Sequence, residues 1–552
     1  MQQYSDDLTS IEIFPDSKLF RISFDHNVGK LRIFCKTNQL LDDLRNCFSD
    51  DNPASFFVKQ YGYQVDNKIY AINKFGYFES GLIFDIFNWI KINFGGLQNL
   101  TMSKNCKKYL EDFIIPLRNH FLNTSKDNLE LFNISDDCGR NDELKKFNKH
   151  PFEYRDYQKI AIEQLLFKGY GRGLIEIPTG GGKSFIIANF IWNIHKLYDS
   201  KLRYMILVPN KQLVEQFYSD LLDYGFEKIY LTKFTAGLKK SEKYNPLAKI
   251  IIANRQYVFN NFDKLPEIDC LICDEVHTLT AEVSKNLVNK INSPIKIGCS
   301  GTIPRENHKK WTLIGMFSKI IYEKDITDLQ QNGYISKLKI NLIQVIDKDV
   351  EKNKELLFNL QSVNKYTPNE YGYSEISFND AYNAEIEYFN NNYEKLYRPI
   401  LENIQTLNGN SLILFDRIEF GKNMFDLAKE ILPDKNIFYI DGNIDVKLRE
   451  DIRLRIEQDT NCIIFGQSSC VSTGLNFKRL HNIIFFFSGK SFSRVIQSIG
   501  RTLRLSTDKQ FANLIDISFN FKYSVKHLKE RLKIYKEMYN KTKPDDIIKI
   551  YV

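Results

Sequence analysis

Apolar and polar positions in the first 135 residues form short segments of mixed type, which predict a small α+β domain. The next stretch, residues 136–150, is mostly polar and charged, as is typical of a linker. The elements predicted before this linker are two paired strands, a region of short strands and two helices: Leu19–Phe24, Lys30–Cys35, Tyr63–Ile72, Asn38–Phe48 and Leu82–Ile92.

From Pro151 onward, short apolar strands alternate with longer helical stretches in two successive blocks. Such alternation predicts an α/β fold in which parallel strands form a doubly wound sheet with helices on both faces. We therefore expect two lobes, at residues 151–330 and 331–552, with residues 347–395 as a bridging segment. The predicted strands are Gly173–Ile177, Tyr204–Val208, Ile250–Ala253, Cys270–Cys273 and Ile295–Cys299 in the first block, and Ser411–Phe415, Ile437–Ile440, Cys462–Phe465, Ile483–Phe487 and Asn513–Ile515 in the second.

Composition excludes several classes of protein. Of the 552 residues 43% are hydrophobic and 26% are charged, which excludes a largely disordered, collagenous or coiled-coil chain. The net charge of +8 permits a polyanionic partner without establishing one. No run approaches the roughly 18–20 apolar residues that span a bilayer, and Met1–Ser10 lacks the pattern of a signal peptide. We therefore expect a cytoplasmic protein without a membrane partner, in the host cytoplasm if it is viral.

The nine cysteines are scattered from Cys35 to Cys470. Only Cys270 and Cys273 are closely spaced, and an i,i+3 pair on a strand points to opposite faces of the sheet. The sequence therefore favours buried thiols in a reducing compartment over a metal site.

The segment from Glu176 to Ser184 reads EIPTGGGKS and lies between a predicted strand and the predicted helix Phe185–Leu197. Glycines at this point allow backbone N–H groups to surround phosphate oxygens, and the helix N-terminus favours anions. Lys183 can then reach the β- and γ-phosphates of a nucleotide, and Ser184 can bind Mg²⁺. Ile177 occupies the position of the first glycine in the strict G-x-x-x-x-G-K-[ST] pattern. The other residues of this predicted nucleotide loop are Pro178, Thr179, Gly180, Gly181 and Gly182.

A phosphate site of this kind needs an acidic residue at a neighbouring strand end to hold the metal and a second carboxylate to orient the attacking water. The stretch from Ile268 to His277, IDCLICDEVH, supplies both. We expect Asp274 to lie on the metal side and Glu275 to act as the general base.

Asp274-Glu-Val-His277 is a DExH box, and together with the PTGGGKS loop it resembles the superfamily 2 helicases. For this family the resemblance implies two tandem RecA-like lobes and an ATP-dependent motor with ATP and Mg²⁺ as cofactors. Further motifs occur in the order of the family. In the first block they imply that Arg155 and Gln158 recognise adenine and that Pro209, Asn210 and Gln216 contact nucleic acid. They also imply that His277, Ser300 and Thr302 couple the state of ATP to strand engagement. In the second block they imply a nucleic-acid contact at Ser468 and Ser469 and a position near ATP for Gly474.

The segment from Gln497 to Arg504, QSIGRTLR, matches the sixth motif of the family. Transfer of a γ-phosphoryl group spreads negative charge over its oxygens, and an arginine supplied from a second lobe can stabilise that charge. Arg501 and Arg504 are thus the arginine-finger candidates, and the resemblance implies a coupling role for Gln497.

The resemblance narrows to the UvsW family of bacteriophage helicases and covers nearly the whole chain. It is most specific in the motor, at Ile413–Asp426, Tyr439–Gly442, Cys462–Leu480 and Asn332–Asn341, and looser in the N-terminal region, at Val28–Phe48 and Phe75–Phe94. It implies a DNA helicase acting on branched or duplex DNA, namely Holliday junctions and stalled forks, and on the RNA–DNA hybrids of R-loops. The motor motifs leave two alternatives open. One is an RNA-directed or transcript-release motor of the same superfamily, and the other is a translocase subunit without strand separation of its own.

Two further regions are nucleic-acid candidates. Residues 521–552 hold nine basic residues against four acidic ones, and Val525, Leu528, Leu532, Tyr535 and Met538 fall at helical spacing, which predicts a helix with one buried stripe and a basic outer face. A solvated helix that only covers the second lobe is the alternative. In the N-terminal domain, lysines interleaved with aromatic residues are consistent with either a small duplex-binding module or an ordinary surface: Lys59, Lys68, Lys74, Tyr61, Tyr63 and Phe75.

Overall fold

Two seven-stranded parallel sheets and one four-stranded sheet form the framework of the chain in a computed structural model. The contacts divide the chain into two compact units, Met1–Glu176 with Ser184–Glu323, and Ile177–Lys183 with Lys324–Val552. The structure describes residues 18–25, 30–52, 55, 66–109, 154–169, 171–197, 202–238, 244–291, 293–304, 306–352, 366–369, 372–375, 378–471, 477, 479–486, 499–500, 503, 509, 511–540 and 543–552.

The N-terminal domain is built on a four-stranded sheet of order β5-β2-β1-β6. The first two strands pair antiparallel, with Phe20 opposite Cys35, and β6 joins β1 in parallel. Apolar side chains from the sheet and from α2 form one core, so the predicted α+β character is present. The elements are β1 (Phe20–Asp25), β2 (Lys30–Cys35), α1 (Asn38–Cys47), β3 (Ser49–Asp51), β4 (Lys68–Tyr70), β5 (Tyr77–Phe78), α2 (Ile83–Phe94), β6 (Leu100–Met102) and α3 (Lys104–Tyr109).

The first large sheet has the order β13-β7-β12-β11-β8-β10-β9, and all neighbouring strands are parallel. Its central strands are buried on both faces because helices cover both sides. The elements are α4 (Asp156–Glu163), β7 (Arg172–Glu176), α5 (Lys183–Leu197), β8 (Tyr204–Val208), α6 (Lys211–Asp223), β9 (Leu231–Phe234), β10 (Ile250–Asn254), α7 (Arg255–Asn260), β11 (Cys270–Asp274), α8 (Glu282–Lys290), β12 (Ile295–Ser300), α9 (Asn307–Phe317) and β13 (Ile320–Glu323).

The second large sheet has the order β18-β19-β17-β20-β21-β14-β22 and is likewise parallel throughout. The bridging segment contributes a two-stranded hairpin and helices to this unit. The elements are α10 (Ile326–Gln331), β14 (Lys337–Ile346), α11 (Lys348–Lys352), β15 (Tyr366–Asn369), β16 (Gly372–Glu375), α12 (Phe378–Asn391), α13 (Tyr393–Gln405), β17 (Ser411–Phe415), α14 (Ile418–Ile431), β18 (Asn436–Ile440), α15 (Val446–Gln458), β19 (Cys462–Gln467), α16 (Ser468–Val471), β20 (Asn482–Phe485), β21 (Phe511–Phe519), α17 (Lys522–Tyr539) and β22 (Asp546–Tyr551).

The predicted fold class is confirmed, and every strand predicted for the two lobes is present within one or a few residues of its expected ends. Four strands of the two large sheets were not predicted, namely β9, β13, β14 and β22, and neither was the hairpin of β15 and β16. Three of them, β9, β13 and β22, lie at sheet edges, and β14 is next to an edge. Strands in such positions carry polar residues, so they lack the continuous apolar run from which the others were recognised.

The prediction of a buried stripe on the C-terminal helix is wrong in part. Leu528 and Tyr535 are buried as predicted, whereas Val525, Leu532 and Met538 are only half-buried. The same helix buries Arg531, which had been counted with the basic outer face. Its guanidinium is paired with a buried carboxylate, which offsets part of the cost of placing a charge in the interior.

The N-terminal domain and the first large sheet belong to one unit because they share polar and apolar contacts. Glu79 accepts a hydrogen bond from Asn289 of α8 at 3.0 Å and forms ion pairs with Lys285 at 3.2 Å and with Lys30 at 3.0 Å. At Gly81 the two parts approach so closely that an added Cβ would lie 2.0 Å from the carbonyl oxygen of Ile314. Among the described helices, none combines the length and the apolar character needed to cross a membrane.

Candidate active site

The nucleotide loop between β7 and α5 depends on glycine at two positions. Gly180 and Gly182 have φ of 85° and 78°, in the left-handed region that side chains with a Cβ rarely adopt. Gly181 donates its backbone N–H to the carbonyl oxygen of Pro178 at 2.9 Å, which closes the turn. The glycines therefore fix a tight loop that leads directly into the first turn of α5.

The side chains at the start of α5 are held by the surrounding protein. Lys183 donates through Nζ to the carbonyl oxygen of Ile177 at 3.4 Å. The Ser184 hydroxyl lies 2.9 Å from the Tyr224 hydroxyl, and the Tyr224 ring packs edge-on against Phe185 with centroids 5.3 Å apart. Sequence reasoning missed Tyr224, because it follows α6, 40 residues away, and no spacing rule connects it to the loop.

The predicted adenine segment begins α4. Gln158 is buried, and its Oε1 accepts the backbone N–H of Arg155 at 3.1 Å. The Arg155 guanidinium donates to the Tyr157 hydroxyl at 3.1 Å. Both predicted residues thus have fixed positions at one helix N-terminus.

The acidic pair lies where β11 ends. Asp274 closes the strand and is 6% exposed, whereas Glu275 has φ of 53° in the left-handed region. A non-glycine residue in that conformation costs roughly 1–3 kcal/mol and persists only when its surroundings enforce it. His277 Nδ1 lies 3.3 Å from Glu275 Oε2, so the strained backbone places the Glu275 carboxylate beside the imidazole.

Three strand ends meet at this edge of the first sheet. His277 Nδ1 lies 3.0 Å from the Ser300 hydroxyl, which in turn accepts the backbone N–H of Thr302 at 3.1 Å. The register sets Ser300 beside Glu176, and Glu176 Oε1 accepts the backbone N–H of Ile303 at 3.0 Å. The structure therefore brings together the DExH pair, the Ser-Gly-Thr segment and the strand that carries the nucleotide loop. Glu176 was read as part of the loop segment but not recognised as a site residue.

The predicted nucleic-acid residues at the end of β8 have structural roles. Asn210 caps α6, with Oδ1 accepting the backbone N–H of Leu213 at 2.9 Å, and the carbonyl oxygen of Pro209 accepts from Asn254 Nδ2 at 3.2 Å. Gln216 is half-buried on α6. Asn254 itself caps α7 by accepting the backbone N–H of Tyr257 at 3.0 Å, a role that sequence reasoning had not assigned.

In the second unit, Ser468 is buried and donates to the carbonyl oxygen of Phe415 at 3.1 Å, whereas the neighbouring Ser469 is exposed. Gly500 packs against the nucleotide loop, which belongs to the same unit: a Cβ at Gly500 would lie 2.4 Å from Cβ of Thr179. Four predicted motor residues lie outside the described part of the chain: Gly474, Gln497, Arg501 and Arg504. The same holds for Lys59, Tyr61 and Tyr63 of the N-terminal domain.

Two protein families match the chain over these motifs. Residues 151–305 match the family described as "Type III restriction enzyme, res subunit", and residues 394–506 match the "Helicase conserved C-terminal domain". The chain belongs to the superfamily 2 helicases. It is therefore an ATP-dependent helicase and a hydrolase.

The individual relatives described next share about a quarter of their aligned residues with this chain. The chain is 26% identical over 366 residues to the "ATP-dependent DNA helicase uvsW" of Enterobacteria phage T4, which covers 65% of this chain and 67% of that protein. It is 25% identical over 404 residues to the "Putative helicase 22" of a Sulfolobus islandicus filamentous virus, covering 70% and 68%. Among solved structures, the type ISP restriction-modification enzyme LlaBIII bound to DNA matches with a TM-score of 0.52 at 14% identity, over 73% of this chain and 31% of that one, a likeness that shows the fold alone.

Proposed function

We propose that this helicase is a DNA motor that acts on branched DNA, moving the branch point of Holliday junctions and forks and unwinding the RNA–DNA hybrid of R-loops. The name of the phage T4 relative, an ATP-dependent DNA helicase, supports DNA as the nucleic acid. The observation that carries the motor mechanism is the meeting of the nucleotide loop strand, the DExH pair and the Ser-Gly-Thr segment at one sheet edge.

In this proposal the loop from Pro178 to Ser184 binds the triphosphate. Its backbone N–H groups and the N-terminus of α5 attract phosphate oxygens, and Lys183 binds the β- and γ-phosphates. Gln158 and Arg155 recognise the adenine, for which the amide nitrogen of Gln158 is a suitable donor. Gly474 contributes to the same nucleotide site.

The acidic pair would perform the hydrolysis. Glu275 accepts a proton from the attacking water and orients it, and the strained backbone fixes the carboxylate in place before ATP binds. Ser184 and Asp274 offer the hard oxygen ligands that Mg²⁺ prefers. Among the described residues no three His, Cys, Asp or Glu side chains form a cage, which fits Mg²⁺, because that ion binds to few protein oxygens together with substrate phosphates. The bound ion would neutralise charge on the phosphates.

Arg501 and Arg504 would stabilise the charge that develops on the transferred phosphoryl group. The sequence spacing in QSIGRTLR supports this role, and so does the close packing of Gly500 on Thr179 of the nucleotide loop. Gln497 would act with them in coupling.

The cluster of His277, Ser300 and Thr302 would couple hydrolysis to nucleic-acid engagement. His277 contacts the catalytic carboxylate on one side and the Ser300 hydroxyl on the other, so a change at Glu275 can reach the end of β12 through two contacts. Pro209, Asn210, Gln216, Ser468 and Ser469 would form the nucleic-acid side. The side chains of Asn210 and Ser468 hold their own loops, so we expect them to position these loops and the exposed Ser469 to make the direct contact.

Residues 1–135 would form an accessory nucleic-acid domain joined through the linker 136–150. The lobes would then span residues 151–330 and 331–552. The ion pairs of Glu79 support an accessory domain that moves together with the first lobe, because they connect it to α8.

The catalytic assignment is tested by ATPase and substrate-unwinding assays on point variants. Lys183→Ala and Glu275→Gln should each lower ATP turnover at least about a hundredfold, because removing one transition-state contact costs several kcal/mol. Arg501→Ala should lose turnover while retaining ATP binding. Lys228→Ala and Glu227→Gln, both exposed in the same lobe, serve as matched controls. Unchanged turnover in Lys183→Ala or Glu275→Gln would refute the proposed site.

The substrate is tested separately with four-way DNA junctions, R-loops and RNA hairpins. Stimulation of ATPase and movement of the branch point on junctions support the proposal, whereas stimulation by RNA alone supports an RNA-directed motor. A translocase subunit is the second candidate, favoured by the match to a restriction enzyme subunit. Strong DNA-stimulated ATPase without movement of any branch point would select it.

A further inference from the structure

A row of exposed lysines follows one face of α17. The five residues are spaced by four, three, four and three positions, so at 3.6 residues per turn they fall within about 80° of helix arc. They extend over about 21 Å of helix, at a rise of 1.5 Å per residue. We call this row the lysine stripe: Lys522, Lys526, Lys529, Lys533 and Lys536.

The opposite face of α17 is fixed to the second sheet. Arg531 donates from Nε and Nη2 to both oxygens of Asp516 at 2.9 and 2.7 Å, and the Tyr535 hydroxyl donates to Asp516 at 2.6 Å. At the helix start, Glu385 of α12 accepts the backbone N–H groups of Tyr523 and Ser524. The stripe is therefore held on a rigid helix whose orientation is set before any partner binds, which lowers the entropic cost of binding.

The chemistry of the stripe fits a regular polyanion. Among the residues of α17 itself, the acidic ones lie on only one flank of the stripe, where Glu530 pairs with Lys533 at 3.3 Å and Glu537 is exposed. One strand of duplex DNA rises 3.4 Å along the helix axis from one phosphate to the next, so about 21 Å of stripe spans the axial rise of about six phosphates, of which only those that face α17 can be contacted. Lysine acts as a point charge that tolerates any base sequence.

Two other partners fit the helix less well. Binding of single strands relies on aromatic rings that stack on bases, but the rings of Tyr523, Tyr535 and Tyr539 are buried against the lobe. An amphipathic helix that binds a membrane must present its apolar face to lipid, and here that face is covered by the second sheet.

We propose that the lysine stripe is a duplex-DNA contact, separate from the motor motifs, that binds the phosphate backbone without reading sequence. The inference rests on the proposed function only in that DNA is the substrate. Through this contact the second lobe binds the duplex arm of a branched substrate.

The test compares two double variants of the full chain. Lys526→Gln with Lys529→Gln removes two stripe charges, and Lys422→Gln with Lys429→Gln removes two exposed charges from α14 of the same lobe. Binding to a fluorescent duplex is measured between about 50 and 200 mM salt. The slope of log K against log salt is negative, and each lost phosphate contact lowers its magnitude by about 0.9. The magnitude should therefore fall by up to about 1.8 in the stripe variant and stay the same in the control.

We expect the stripe variant to bind duplex about tenfold more weakly at about 0.1 M salt, with basal ATPase and single-strand binding unchanged. An unchanged slope, or an equal change in the α14 control, overturns the inference. A loss confined to single-stranded DNA or RNA overturns it as well. Failure of the proposed function looks different, since the wild type would then show no DNA-stimulated ATPase and no movement of branch points.

Discussion

Removing the guanidinium of Arg531 should loosen the C-terminal helix α17 more than any surface change. Arg531 and Asp516 are almost fully buried, with side-chain exposures of 4% and 1%, and they share two hydrogen bonds. In Arg531→Met the apolar side chain fills similar space, but Asp516 remains as a buried carboxylate with only the Tyr535 hydroxyl shown to bond to it. The cost is thus that of an uncompensated charge.

Breaking one side of a buried ion pair costs about 3–5 kcal/mol. Because each 1.4 kcal/mol is a factor of ten, the protection of α17 amides against hydrogen exchange should fall by about a hundredfold to a few thousandfold. Replacing both partners, Asp516→Leu with Arg531→Met, removes the stranded charge and should restore most of that protection.

Hydrogen exchange followed by mass spectrometry is the suitable assay, because it reports on α17 separately from the rest of a chain with several domains. Arg398→Met is the matched control, since Arg398 pairs with Glu430 at 2.9 Å on the surface, where ion pairs contribute little. If Arg531→Met lowers the protection of α17 no more than Arg398→Met does, or if the double variant is as weak as the single one, the reasoning is refuted.

Three further predictions concern the remaining contacts. Tyr224→Phe removes the hydroxyl beside Ser184, and it should raise the Mg²⁺ concentration for half-maximal ATPase several-fold while metal-free nucleotide binding, measured by fluorescence, stays the same. Burial lowers the pKa of Lys296 to about 7. The unfolded chain therefore binds more protons between about pH 7 and pH 10, so the stability of the first unit should rise with pH there, and thermal melts of Lys296→Met should lack this rise. Gly500→Val should abolish ATP turnover while leaving the circular dichroism spectrum unchanged, because its Cβ would clash with Thr179; full turnover would contradict this.

The motor core could be predicted from sequence because its signals are local. Strands buried on both faces read as continuous apolar runs, and the glycines of the nucleotide loop are adjacent in the chain. Contacts between segments distant in sequence could not be predicted. The hydrogen bonds of Ser184 with Tyr224 and of Glu176 with Ile303 join residues that are 40 and 127 positions apart. No periodicity in the sequence predicts such contacts.

The C-terminal helix shows why a pattern of residue types can mislead. When Arg531 is counted as a polar residue that faces outward, the expected apolar stripe is displaced from its true position, where Tyr523 and Ile534 are buried. An arginine can occupy the interior when a carboxylate on another element neutralises it, and Asp516 on β21 does so here. The identity of the partner is information that the helix sequence alone does not contain.

The bridging segment has a structural role that its composition did not indicate. Asp347, directly after β14, accepts hydrogen bonds from the Tyr388 hydroxyl of α12 at 2.6 Å and from Lys395 at 2.8 Å. The same helix α12 supplies Glu385, whose carboxylate takes the place of a side-chain cap at the start of α17, where Phe521 offers none. Because α12 contacts Asp347 after β14 through Tyr388 and the start of α17 through Glu385, a change in this segment should alter the position of the lysine stripe even though the stripe lies more than a hundred residues further along the chain.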